Sequence, residues 1–473
     1  MSDTFTHRPI RVAVVGAGPA GVYASDILVK AQAKHDLRFS IDLFDRYPAP
    51  FGLIRYGVAP DHPRIKGIIK ALHKVMDRGD IRLLGNVAIG TDLTLEDLRR
   101  HYDAVIFATG AIKDAALDIP GVELEGSFGA ADFVSWYDGH PDYPREWPLE
   151  AEKIAVIGNG NVALDVARVL SKHAEDLLST EIPENVYQGL QASPATDVHV
   201  FGRRGPAQVK FTPLELRELS HSRDVDIVLY EEDFEFDDAS DEAIRSNNQI
   251  KTMVNTLTNW LVEQEERAEE ASKRLHLHFL HRPVEILEGR DEDGAGTGKV
   301  AGIRFERMEL DGTGNVRGTG EFLDYEVQAV YRAVGYFGSE VKGIPFDHQR
   351  GVIVNEAGRV LDDDGHHIPG TYATGWIKRG PVGLIGHTKG DAMETIECLI
   401  ADADRLPEAE QPEENAVIEL LESRGVEYTT WEGWLKLDEH EVQLGQQATT
   451  AGPVERERVK VVPREEMVRI SRA

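Results

Sequence analysis

Residues 10–21 read Ile10-Arg-Val-Ala-Val-Val-Gly16-Ala-Gly18-Pro-Ala20-Gly21, and a helical run follows at once from Val22. An apolar strand that runs straight into Gly-x-Gly-x-x-Gly and then into a helix is the fingerprint of a dinucleotide-binding unit. Each glycine has a mechanical reason. Gly16 permits the tight turn, Gly18 lets backbone approach a pyrophosphate, and Gly21 lets helix and strand pack closely. The helix start then offers its N–H groups and positive dipole to the phosphates. The next strand, from Phe39 to Asp45, ends in an acid near the spacing at which a carboxylate meets the adenosine ribose hydroxyls. A glycine triplet alone is weak. Strand, turn, helix, strand and acid in succession are specific.

A second copy of the pattern begins at Lys153: Lys153-Ile-Ala-Val-Ile-Gly158-Asn-Gly160-Asn161-Val162-Ala163. Alanine at the third position is allowed by the fingerprint. The strand that follows, from Asp197 to Gly202, ends in Arg203-Arg204 where the first copy has an acid. A carboxylate there would repel a 2′-phosphate, whereas guanidinium groups pair with it. The competing reading is an exposed basic turn. The strand comes late after its glycines, so extra helix or loop is expected between Lys172 and Thr196.

Two shorter segments end in a small pair: Asp103 to Thr109-Gly110, and Thr371 to Thr374-Gly375. Such strand ends let backbone approach a bound nucleotide. Together the four segments predict an α/β protein of two Rossmann-like dinucleotide-binding domains, the NADP domain inserted into the FAD domain. The expected boundaries are 1–112 for the first part of the FAD domain, 113–335 for the NADP domain, and 336–473 for the second part and tail. The chain would return near Gly335.

Composition narrows the function classes. The 473 residues include one cysteine, Cys398, so no internal disulfide, dithiol redox pair or four-cysteine iron–sulfur cluster is available. Cys398 sits in a helical-looking run and reads as a small buried hydrophobe. A net charge of -30 argues against non-specific nucleic-acid binding. Solvated faces explain the acidic stretches 231–243 and 408–422 best. No window approaches the roughly 20 apolar residues of a membrane span, and the first residues resemble neither a secretory signal nor a transit peptide. A cytoplasmic monomer without a metal site is expected.

At this point the chain resembles the NADPH–ferredoxin reductases of the adrenodoxin reductase type. The motifs that carry the resemblance are VVGAGPAGVYAS (14–25), PFGLIRYGVAPDHP (50–63), IGNGNVALDVAR (157–168), GRRGPAQVKFTPLELREL (202–219) and GWIKRGPVGLIGHTKGDA (375–392). The resemblance spans nearly the whole length. It implies an FAD enzyme that exchanges hydride with NADPH and single electrons with a separate iron–sulfur ferredoxin. It places Gly16, Gly18, Ala20, Gly21, Thr109 and Gly110 about the FAD, with Asp45 on its ribose. Leu53 and Val58 would line the isoalloxazine pocket, with Gly375, Trp376 and Gly383 beside the ring. Gly158, Gly160, Asn161 and Val162 would meet the NADP pyrophosphate, and Arg203, Arg204 and Glu215 the 2′-phosphate. His62 and Glu218 match a family pair thought to assist turnover.

Plainer roles compete for some of these. Trp376 also suits ordinary core, Glu215 a solvated helix charge, and His62 and Glu218 no chemical role. The tail PVERERVKVVPREEM has little of the family's closing basic motif, which puts C-terminal contacts in doubt. The stretch 233–251 is acidic, leaving Arg245 and Lys251 as its basic candidates for ferredoxin docking. Arg64, Lys66, Lys70, Lys378 and Arg379 are the others. Two further functions compete: a flavin subunit similar to the glutamate synthase small subunit, and a flavin-free NADPH sensor.

Overall fold

The computed structural model describes residues 8–267, 269–383 and 385–473. Within them the chain forms two compact units, one drawn from Met1–Lys113, Asp138–Asp142 and Tyr336–Ala473, the other from Asp114–Tyr137 and Tyr143–Gly335.

The first unit is built on a seven-stranded sheet. Its strand order is Asn355–Glu356, Arg359–Leu361, His367–Ala373, Ala104–Phe107, Ile10–Val15, Phe39–Phe44, Arg82–Leu84. The five strands from His367–Ala373 to Arg82–Leu84 run parallel, and the two short edge strands are antiparallel. Parallel strands are covered on both faces, which is why Ile10–Val15 is apolar at nearly every position. Val12 and Val14 share one core with Leu28 of helix Pro19–His35 and with Ile396 and Leu399 of helix Ile385–Ala401. Ala13 and Val15 point the other way, into a core with Leu98, Ile377 and Val417. Strands Ala104–Phe107 and His367–Ala373 are paired neighbours, although the whole second unit lies between them in sequence.

The second unit holds a six-stranded parallel sheet in the order Ser127–Gly129, Ala329–Arg332, Lys153–Ile157, Asp197–Phe201, Lys273–His278, Val225–Leu229. A three-stranded antiparallel sheet, His281–Arg290, Gly296–Leu310 and Val316–Glu326, packs Ile286, Ile303 and Phe305 onto Ala155, Ile157 and Phe201. The stretch expected to hold extra structure contains a 3-10 turn, Ala174–Leu177, and helix Glu184–Gln191. Where the chain enters and leaves this unit, the Ala115 N–H donates to the Gly335 carbonyl at 2.8 Å.

Three sequence expectations need correction. The closing residues are firmly held: Lys460 Nζ donates to the carbonyls of Arg55 (2.7 Å) and Asp138 (3.0 Å). Arg458 bonds Asp438 at 2.5 Å, and Arg464 reaches Asn86 and Asp142 at 2.8 and 2.6 Å. Beside them Glu441, fully buried, takes both terminal nitrogens of buried Arg55. Arg458, Lys460 and Arg464 of this tail therefore serve internal acids, an amide oxygen and carbonyls. Second, Asp233 in the acidic stretch is 1% exposed, not solvated. Third, Cys398 is only half-buried, its Sγ 3.4 Å from the Ala357 carbonyl. No helix among the described residues is long and apolar enough to cross a membrane.

Candidate functional site

In the first unit, three strand ends meet around the Gly16 turn. Gly16 has φ +111°, and a Cβ there would sit 2.3 Å from the Ala108 carbonyl oxygen. A Cβ on Gly21 would sit 1.9 Å from the Gly16 oxygen. Only glycine allows this closeness. Helix Pro19–His35 starts from Gly18 with no side-chain cap and no acid in its first turn. Its first N–H groups are therefore left for an anion, as a pyrophosphate cradle requires.

Asp45, at the end of the second strand, accepts the N–H of Ala17 on Oδ2 and that of Tyr47 on Oδ1, both at 2.9 Å. Burial pushes its pKa up to about 6 against the lowering effect of those two N–H donors. The carboxylate thus clasps the glycine turn itself, with lone pairs still able to accept ribose hydroxyls.

The PFGLIRYGV segment lies on the same turn. The Phe51 N–H donates to the Ala17 carbonyl at 2.8 Å, and a Cβ on Gly52 would come within 3.0 Å of Gly18 Cα. Leu53 opens the short helix Leu53–Tyr56, and both Leu53 and Val58 are half-buried. Thr109 Oγ1 is buried without a hydrogen-bond partner among the described residues, and a Cβ on Gly110 would meet nothing of them within 4 Å. An orphaned hydroxyl beside open space fits a polar ligand there.

On the third strand end, Gly375 has φ +75°, and a Cβ would sit 2.6 Å from that of Ala20. Half-buried Trp376 follows it, while Gly383 is exposed with φ +87°. Asp391 fastens this turn: it accepts the Gly375 N–H at 2.5 Å and the Thr374 hydroxyl at 3.1 Å. It also pairs with Lys378 and Arg379, each at 3.2 Å. Sequence reasoning did not single out Asp391. Its only signal was an acid at the end of the last motif. His62 is 5% exposed, and its N–H donates to the Ala59 carbonyl at 3.1 Å.

The second unit repeats the turn with different chemistry. Gly158 has φ +144°, and a Cβ there would sit 2.2 Å from the Ala333 oxygen. Gly160 starts helix Asn161–Ser171, again with no side-chain cap and no acid in the first turn. A Cβ on Gly160 would meet nothing within 4 Å, so the backbone is open to close approach. Asn161 Oδ1 accepts the Thr212 N–H at 2.9 Å, which stitches the glycine loop to the segment before helix Pro213–Leu219. Val162 beside it is half-buried.

Arg203 is exposed and Arg204 half-buried, and neither guanidinium has a side-chain partner among the described residues. Two unneutralised cations at a ribose-reading position suit a 2′-phosphate. Glu215 is 4% exposed, with an oxygen 3.9 Å from Arg168, so it is not a solvated helix charge. Glu218 is partly exposed and lies 3.7 Å from His221. His62 belongs to the first unit and Glu218 to the second.

Of the expected docking cations, Lys66 donates to the Ile54 carbonyl and Lys378 is buried against Glu394. Both are committed internally. Arg379 is tied to Asp391, while Lys70, Arg245 and Lys251 are exposed. The Arg64 side chain lies outside the described residues.

Comparison with known proteins agrees with this architecture. NADPH-ferredoxin reductase FprA of Mycobacterium tuberculosis is 38% identical over 476 residues, covering 98% of this chain and 99% of that protein. The mitochondrial NADPH:adrenodoxin oxidoreductase of Arabidopsis thaliana is 36% identical over 451 residues, covering 93% and 92%. A solved structure of Mycobacterium tuberculosis FprA in complex with NADPH matches with a TM-score of 0.86 at 36% identity, covering 98% of this chain and 100% of that one. The family model for pyridine nucleotide-disulphide oxidoreductases matches residues 10–375. With two glycine turns of this geometry and similarity along its length, the chain belongs to the pyridine nucleotide-disulphide oxidoreductase family.

Proposed function

We propose that this chain is a ferredoxin–NADP+ reductase with FAD in the first unit and NADP(H) in the second. The observation that carries it is the contrast between two like turns: Asp45 stands at one, and at the other two arginines with no side-chain partner among the described residues. The residues fit these groups. When bound, FAD supplies the redox chemistry, exchanging hydride with the nicotinamide and single electrons with a ferredoxin.

The protein's own contribution is placement. Gly16, Gly18, Ala20 and Gly21 give the pyrophosphate its cradle, Asp45 reads the ribose, and Thr109 and Gly110 border the same space. Leu53, Val58, Gly375, Trp376 and Gly383 surround the ring, with Asp391 fixing the 374–376 turn. Gly158, Gly160, Asn161 and Val162 receive the second pyrophosphate, and Arg203, Arg204 and Glu215 the adenosine end. His62 and Glu218 modulate turnover, since hydride transfer itself requires no side-chain acid or base. The proposed domains are 1–112 with 336–473 for FAD and 113–335 for NADP, although Lys113 and Asp138–Asp142 pack in the first unit.

The acceptor is another chain. Cys398 is the sole cysteine, so the protein cannot hold a four-thiolate cluster, whatever its family's disulphide chemistry elsewhere. The relatives named for ferredoxin and adrenodoxin support a small iron–sulfur partner. The test is NADPH-driven cytochrome c reduction by the purified yellow protein, with and without candidate ferredoxins. One ferredoxin should raise the rate strongly. A colourless protein, or a rate that no ferredoxin changes, would sink the proposal.

A further inference from the structure

The arginine turn is not self-supporting. After strand Asp197–Phe201, the Gly202 N–H donates to the His278 carbonyl at 2.9 Å, and the Gly202 carbonyl accepts the His281 N–H at 2.9 Å. The Arg204 carbonyl accepts the Leu280 N–H at 3.1 Å. The backbone of the two arginines is therefore set by residues 278–281, which span the two-residue link Phe279-Leu280 between strands Lys273–His278 and His281–Arg290.

That link holds a conformation it would not choose alone. Leu280 is fully buried with φ +59°, a region unfavourable for a leucine, and such a residue persists only where its surroundings over-determine it. The determinants are visible. Asp233, 1% exposed, accepts the Phe279 N–H on Oδ2 at 2.9 Å. Its Oδ1 takes Arg307 Nη1, while Arg307 Nη2 donates to the Glu232 carbonyl. The Leu280 carbonyl accepts the Met308 N–H at 2.8 Å. His281 is fixed at both ring nitrogens, by the Phe279 carbonyl at 2.6 Å and the Tyr325 hydroxyl at 2.8 Å.

We propose that Asp233 and Arg307 are positioning residues for NADPH selectivity: the ion pair of buried Asp233 with half-buried Arg307 locks residues 279–281, which hold Arg203 and Arg204 where both guanidiniums reach one phosphate. This rests on reading the arginine turn as the 2′-phosphate site. Two long side chains converge on a single dianion only from a fixed backbone, and an ångström of error weakens both charge-assisted contacts together. Asp233 and Arg307 act through the backbone and not by touching the nucleotide. Their loss should be felt at the 2′-phosphate and not at the rest of the adenosine.

The test uses the full-length, flavin-loaded protein and two probes, 2′,5′-ADP and 5′-AMP, titrated by calorimetry. Asp233→Ala and Arg307→Met should each raise the Kd for 2′,5′-ADP by about tenfold, the scale of one charge-assisted contact. The Kd for 5′-AMP should stay within about twofold, because it lacks the group being positioned. In turnover, KM for NADPH should rise with kcat little changed. Asp233→Asn, which keeps an oxygen for the Phe279 N–H, should recover part of the loss. Arg307→Lys, milder than either truncation, should show a smaller split of the same sign and serves if Asp233→Ala does not fold. Equal weakening of both probes, or no weakening of either, would overturn the proposal. Arg204→Ala run alongside separates the two levels. If it shows the split and Asp233→Ala does not, the positioning role is wrong. If Arg204→Ala shows no split, the assignment of the arginine turn falls.

Discussion

Gly16 sits where nothing larger fits. A methyl group there would sit 2.3 Å from a main-chain oxygen that cannot yield, on a backbone at φ +111°. Gly16→Ala is expected to cost roughly 2–4 kcal/mol, as strained backbone sites do, and to lower flavin retention sharply. The flavin-to-protein absorbance ratio and the melting temperature check this, and a fully flavinated variant with unchanged melting would contradict it. Residues of this kind were legible in the sequence because glycines, Asp45 and the two arginines have their meaning in local spacing. Asp233 and Asp391 did not. Asp233 takes its meaning from Arg307, 74 residues away, and a run of acids gives no sign of which member turns inward. Asp391 acts on Gly375 from the next helix, which only the folded sheet brings alongside.

At the scale of elements, strands Asp197–Phe201 and Lys273–His278 show what alternation in sequence can hide. His199 pairs in register with His276, and their rings stack at 4.0 Å. His199 Nδ1 lies 3.0 Å from His278 Nε2, and His276 bridges Tyr230 and Asp197 at 2.8 and 2.9 Å. A polar ladder thus occupies positions that a strand pattern would assign to core. Burial holds His199 down at about 3 and His281 at about 4, and it pushes His278 well below its ordinary value. These groups are neutral when folded and free to protonate near pH 6.5 when unfolded. Stability is therefore complete above about pH 6.5 and is lost as pH falls toward 4, by roughly 1.4 kcal/mol per pH unit for each such histidine. Urea midpoints measured from pH 7 to pH 5 should fall accordingly, and His199→Gln should flatten the slope. A midpoint insensitive to pH in that window would refute the account. The helices and strands around both glycine turns were recoverable from periodicity. The three-stranded sheet was not foreseen, since its outer strand is mostly exposed and carries no apolar alternation.

For the whole molecule, the C-terminal segment is the largest departure from expectation. Its contacts were in doubt from the sequence, yet Arg458, Lys460 and Arg464 reach Asp438, the Arg55 carbonyl and Asp142. Its lysine grips the short helix that carries Leu53. Ending the chain after Glu455 should lower the melting temperature of the flavin-loaded protein and speed flavin release in dilute denaturant. Unchanged release would show that the tail is dispensable to the pocket. The order of the segments was readable from four strand–glycine signals, whereas the tail's role depends on long-range partners that composition conceals.

The hydrogen bond between Ala115 and Gly335 has a bearing on descent and on engineering. A segment whose two ends meet can be exchanged for another without stretching the host chain, provided that Asp138–Asp142, which belong to the host unit, stay with it. The host keeps strands Ala104–Phe107 and His367–Ala373 side by side whatever the inserted segment contains. A chimaera joined at these two seams, with Asp138–Asp142 kept from the host, is expected to take its nicotinamide preference from the donor of the inserted segment.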